Sequence, residues 1–119
     1  MPEKSCPARI VLTTAASPEE ARMLGRTLVE EQLAACATMI PAVESIYRWK
    51  GNLESSSETM LFLKTGVDQL ASLETRLRQL HSYEVPEFLV LPVEAGSRAY
   101  LDWMLGSLAS VENAPPAKA

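Results

Sequence analysis

The chain has 119 residues, 47% of them hydrophobic, which suits one core and one domain. Its formal net charge is -4, whereas nucleic acid and anionic membranes call for a basic face. No run of about 18 apolar residues is present to cross a membrane, and the first residues lack an apolar stretch of signal-peptide length. These features predict a cytoplasmic protein with neither nucleic acid nor membrane as partner.

Residues 1 to 7, with two prolines, read as a loose arm. Ala8 to Thr14 is a short β-branched run and reads as the first strand. Ser17-Pro18-Glu19-Glu20 follows, with a capping serine, a first-turn proline and a glutamate that closes a capping box. The helix it opens carries its apolar stripe on Ala21, Leu24, Gly25, Leu28 and Val29, and is expected to end near Gln32.

A long hairpin comes next. Val43, Ile46, Tyr47 and Trp49 precede Gly51-Asn52, read as the two-residue turn, and Thr59 to Leu63 follow it. Pro41 implies a bend or bulge in the first arm. From Val43 to Lys50 that arm spans roughly 26 Å, against a radius of gyration near 13 Å for a domain of about 100 residues. The tip should therefore either project and be covered by another subunit, or curl back onto its own helices.

Thr65-Gly66-Val67-Asp68 restarts the chain as a helix, with Leu70, Leu73, Leu77 and Leu80 on one face and His81 at its end. Ser82 to Pro86 is a connector, and Glu87 to Leu91 a fourth strand, apolar enough to be covered on both faces. Gly96-Ser97 opens a last helix through Tyr100, Leu101, Met104, Leu105 and Leu108. Residues 111–119, with Pro115-Pro116, read as a disordered tail after a single domain over residues 1–110. The order strand, helix, strand, strand, helix, strand, plus a terminal helix, is that of an α+β, ferredoxin-like split βαβ fold with an antiparallel sheet. Right-handed crossovers then put the third strand between the first and second, and the fourth beyond the first.

That topology gathers one set of residues. The first strand ends at Thr13-Thr14, the second helix at His81, and the fourth strand starts at Glu87, all at one edge of the sheet. Tyr83, Glu84 and Glu87 should approach them, while Lys64 lies at the opposite edge and can join only from a neighbouring subunit. His81, the only histidine, reads either as a helix C-terminal cap or as a metal ligand helped by Glu84 and Glu87. Tyr47 and Trp49 read as packing aromatics, or as a stacking surface for a planar ligand. Cys36 reads as a reduced core residue and Cys6 as part of the loose arm; they form no zinc-like spacing. There is no phosphate-binding glycine loop, no nucleophile with a nearby base, and no catalytic site to suggest an enzyme.

Leu33-Ala34-Ala35-Cys36-Ala37-Thr38-Met39-Ile40-Pro41, Ser45-Ile46-Tyr47-Arg48-Trp49-Lys50-Gly51, Leu63-Lys64-Thr65 and His81-Ser82-Tyr83-Glu84-Val85-Pro86-Glu87 closely resemble the CutA divalent-cation tolerance family, over about residues 9 to 110. The resemblance implies a ferredoxin-like protomer in a tight homotrimer, with Tyr47 and Trp49 near the interface. It also implies a role in tolerance of copper and other divalent cations, with no agreed enzymatic reaction. Members credited with copper binding carry a cysteine and a second histidine where this chain has Thr13 and Leu80. Copper or another divalent cation is therefore expected to bind only weakly. A PII-like regulatory trimer, binding a small molecule in a cleft that includes Thr13, Tyr83 and Lys64, is the alternative that the shared fold suggests.

Overall fold

A computed structural model describes residues 6–110. The chain forms β1 (Ala8–Ala15), α1 (Pro18–Glu30), β2 (Cys36–Trp49), β3 (Asn52–Gly66), α2 (Leu70–Leu80), β4 (Leu89–Pro92) and α3 (Arg98–Gly106). The four strands make one antiparallel-paired sheet in the order β2-β3-β1-β4, the split βαβ arrangement that the sequence predicts. A short 3-10 turn, Val67–Gln69, separates β3 from α2, so of the residues expected to open the helix Thr65 and Gly66 belong to the strand and Val67 and Asp68 to the turn.

Strand alternation splits the sheet into two unlike faces. Val11 on β1 and Leu61 and Leu63 on β3 meet Leu24 and Leu28 of α1 and Leu73 and Leu77 of α2, all fully buried. This single-sided core holds the two long helices. Gly25 lets α1 approach β2: an added Cβ would lie 3.0 Å from that of Ala37. On the opposite face α3 covers only one end, where Met104 packs with Ala8 and Ala35. Cys36 is half-buried there, opposite Lys64 in the ladder, and not a core residue, because its strand position faces away from α1.

Several boundaries differ from the expectation. Cys6 packs against the smaller cluster and the carbonyl of Pro7 accepts from Val67 N, so the part of the arm that is described is anchored. The α1 helix stops at Glu30, and Gln32 takes a φ of 60° to turn the chain into β2. The hairpin turn is Lys50-Gly51, with φ of 51° and 82°, closed by the pair Trp49↔Asn52. Two successive positive φ values match a right-twisted ribbon, and they place the turn one residue earlier than Gly51-Asn52. Pro41 does mark a bulge: pairing shifts between Ile40 and Val43, with Ala42 at φ 60°. The expected tail over residues 111–119 lies outside the described residues.

The fourth strand is a larger correction. It begins at Leu89, not Glu87, and lies uncovered at the sheet edge, with Leu89 56% and Leu91 46% exposed. Among the described residues nothing covers its apolar open face. The hairpin behaves likewise. Beyond Val43↔Glu58 its arms run to Trp49↔Asn52 with no other strand beside them among the described residues, a ribbon of about 20 Å. It does not curl back on the helices: Ile46 is 67% and Leu53 73% exposed.

The turn geometry generates a test. Gly51→Ala places a Cβ at a φ of 82°, in open space but in a strained backbone region. It should destabilise the folded chain by about 1 kcal/mol, read from the denaturant midpoint. An unchanged midpoint would mean that the turn re-forms in another geometry.

Candidate functional site

The polar site sits where β1 stops and β3 continues. Ala15↔Thr59 is the last pair between them, so Glu58 is the first β3 residue without a β1 partner. A carboxylate on a buried ladder position needs hydrogen bonds, and the connector after α2 brings one. Tyr83 Oη donates to Glu58 Oε2 at 2.7 Å. Burial pushes the Glu58 carboxyl up, but hydrogen bonds from Ser45, Tyr83 and Thr14 outweigh it and leave it below its ordinary range. The same burial, together with the Glu58 charge, drives the Tyr83 phenol well above its ordinary value.

His81 is the C-cap of α2 and is buried. Its ring does not remain at the helix end. Nε2 lies 2.6 Å from the carbonyl oxygen of Thr14, and Nδ1 accepts from the backbone N–H of Tyr83 at 3.1 Å. The His81 and Tyr83 rings lie 4.7 Å apart, tilted. Glu20 ties the same edge together from α1. It accepts from Ala16 N at 3.0 Å and Ser82 N at 2.8 Å, while Ser17 Oγ accepts from Glu20 N in the predicted cap. Burial pushes the Glu20 carboxyl up, and the donors at Ala16 and Ser82 pull it below its ordinary range.

The structure therefore brings His81, Tyr83 and Thr14 together, and adds Glu58 and Glu20, which the sequence reading did not select. Thr13 does not join them. Its side chain points to the helix-covered face, where its hydroxyl is buried without a partner. Glu87 is half-buried nearby, and its carboxyl is raised by burial and then by the Glu58 charge. Glu84 is exposed. Lys64 is remote within the chain and donates to Tyr100 Oη at 3.1 Å. Tyr47 and Trp49 stand on the ribbon, 43% and 41% exposed, with Tyr47 Oη 3.4 Å from Ser56 Oγ. One open trough along the β2 edge, lined in part by Arg22, Met39 and Trp103, and another beside Gly66, both lie away from His81.

As a metal centre the set fits poorly. Among the described residues no three His, Cys, Asp or Glu side chains are grouped to hold an ion. The imidazole has no free nitrogen, and the bound carboxylates already accept protein donors.

The fold and the edge define an α+β protein of ferredoxin-like topology with an extended second hairpin and a His-Tyr-Glu edge. The chain belongs to the CutA1 divalent ion tolerance protein family, whose model matches residues 9–107. A divalent-cation tolerance protein CutA of Thermus thermophilus is 44% identical over 95 residues, 80% of this chain and 92% of its own length. A chloroplastic CutA of Arabidopsis thaliana is 38% identical over 104 residues, 87% of this chain and 57% of that protein. Among solved structures, the T. thermophilus divalent cation tolerance protein superposes with a TM-score of 0.84 at 41% identity, covering 86% of this chain and 99% of its own. A CutA from Archaeoglobus fulgidus described as periplasmic does so at 0.82 and 31%, covering 84% and 97%. The family description names tolerance of divalent ions and no reaction. Among the described residues no helix is long and apolar enough to cross a membrane.

The carboxylates set an opposing pH signature. Glu58 and Glu20 are held below their ordinary value of 4.5 when folded, so their contribution is present above that value and lost as pH falls through the folded one. Glu87 is raised above 4.5, so its ionisation opposes folding as pH rises. Glu58→Gln should lower Tm at pH 7 and progressively less towards pH 3. Glu87→Gln should raise Tm at pH 7, with the gain vanishing in acid. Thermal scans of both variants across pH check the signs. Tyr83→Phe, which removes a donor to a charged acceptor, should cost about 1.5–3 kcal/mol at neutral pH by denaturant titration.

Proposed function

We propose that the chain acts as a homotrimeric divalent-cation tolerance protein, one domain over residues 1–110, serving in the cytoplasm as a binding module and not as an enzyme. The observation that carries this reading is the half-covered sheet. Ile40, Leu89 and Leu91 expose 46%, 56% and 46% of their surface, and the ribbon presents Tyr47, Trp49, Ile46 and Leu53 beyond the chain's own core. Apolar surface of this extent calls for a partner. Closed symmetric assembly of identical chains would cover it without a second protein, and the family resemblance supports three copies.

Ion contact in this reading is weak and made by oxygen. Glu87 and Glu84 stand at the rim, and a cation beside Glu87 relieves its repulsion from Glu58. Carboxylate donors suit hard ions, so soft Cu(I) is poorly served and Cu(II) only weakly. Cys36, half-buried on the open face beside Lys64, takes no part.

Sedimentation equilibrium at micromolar concentration should give three times the chain mass; a folded monomer of 13.0 kDa would overturn the assembly. Trp49→Ala should weaken the trimer, by on the order of 3 kcal/mol if the indole is fully packed. A variant as heat-stable and as trimeric as the parent would return Trp49 to ligand stacking. Calorimetric titration with Cu(II) should show weak binding, further weakened in Glu87→Gln and unaltered in Cys36→Ser. Loss of binding in Cys36→Ser alone would place the ion elsewhere.

A further inference from the structure

The family name invites a metal at the lone histidine, and the geometry around that histidine argues otherwise. A nitrogen-bound transition metal needs its ion about 2.0–2.1 Å from the ring, along a lone pair. At Nε2 that direction holds the Thr14 carbonyl oxygen, 2.6 Å away. At Nδ1 it holds the Tyr83 amide, 3.1 Å away. An amide N–H can only donate, so Nδ1 must accept, and the ring proton is on Nε2, donating to Thr14. This assignment follows from the hydrogen-bond partners. The nearest carboxylate oxygen, Glu20 Oε2, is 3.8 Å from Nδ1 and already accepts from Ser82 N. A metal at either nitrogen would strand a backbone group at an edge where the imidazole is buried.

We propose that His81 is a positioning residue and not a metal ligand: its Nε2–H imidazole is a strut between the end of β1 and the connector after α2. It acts through Tyr83. Fixing the Tyr83 amide on Nδ1 sets the chain direction from which the phenol reaches Glu58. Glu20 holds the neighbouring amide of Ser82, so two consecutive amides of the connector are anchored by two side chains from different elements. The inference concerns the single chain and holds whatever its oligomeric state.

The test uses the full-length, 15N-labelled protein and zinc chloride, a diamagnetic probe for a borderline ion. Long-range 15N–1H spectra of the one imidazole should show a protonated Nε2 and an unprotonated Nδ1, both unmoved by excess zinc. An Nδ1–H tautomer, or a zinc-dependent shift of either ring nitrogen, would overturn the proposal. In His81→Ala the Tyr83 amide should exchange with solvent about tenfold faster or more, while the Ser82 amide, held by Glu20, changes by no more than about twofold. Equal protection of Tyr83 in variant and parent would refute the strut. If His81→Ala does not fold, the parent spectra still decide between strut and ligand.

Discussion

The pairing of β1 with β3 is the constraint on which the other features depend. Eight residues of β1 lie against fifteen of β3, in register from Ala8↔Gly66 to Ala15↔Thr59. The two strands supply Val11, Leu61 and Leu63 to the core that holds α1 and α2. Because β1 is the shorter, β3 must leave the sheet, and β2 can follow only it. The projecting ribbon and the polar edge are thus two results of one mismatch in strand length. Where β1 ends, the ladder hands over from backbone pairs to side chains. His81 meets the Thr14 carbonyl there, and His81, Glu20 and Glu58 take up the Tyr83 amide, the Ser82 amide and the Tyr83 hydroxyl of the connector.

The topology was legible because the signals agree: the Ser17-Pro18 cap, the leucine spacing of α2 and the β-branched runs all point to one strand order. Details that rest on a single residue of phase were less so. Gly51-Asn52 has good turn composition, but Lys50-Gly51 also satisfies a two-residue turn, and the cross-strand register decides between them. Thr13 and Thr14 differ by the same single step. They point to opposite faces, and it is Thr14 that meets the site. Glu58 follows Ser55-Ser56-Ser57 and looks like part of a solvated run. Its usable signal was its alternation with Met60, Phe62 and Lys64, which puts it on the open face, one step past the Met60 that pairs with Thr14.

Burial was legible only in part, for a physical reason. An apolar strand shows that something must cover it, but not whose chain does so. The Leu89–Pro92 run and the ribbon aromatics carry the composition of buried residues and the exposure of surface ones. Cys36 is the converse case, small and apolar by its neighbours, yet placed by strand alternation on the face away from α1.

The same edge also separates the family's name from its chemistry in this chain. Tolerance of an ion does not require a coordination sphere within the chain, and here both nitrogens of the one imidazole face backbone groups. The carboxylates divide by environment. Hydrogen-bond donors hold Glu58 and Glu20 below the ordinary carboxylate range, whereas the half-buried Glu87 is raised by burial and by the Glu58 charge. Burial beside Glu58 disfavours the Glu87 charge while donors favour those of Glu58 and Glu20, so the carboxylates of one edge respond to pH in opposite senses.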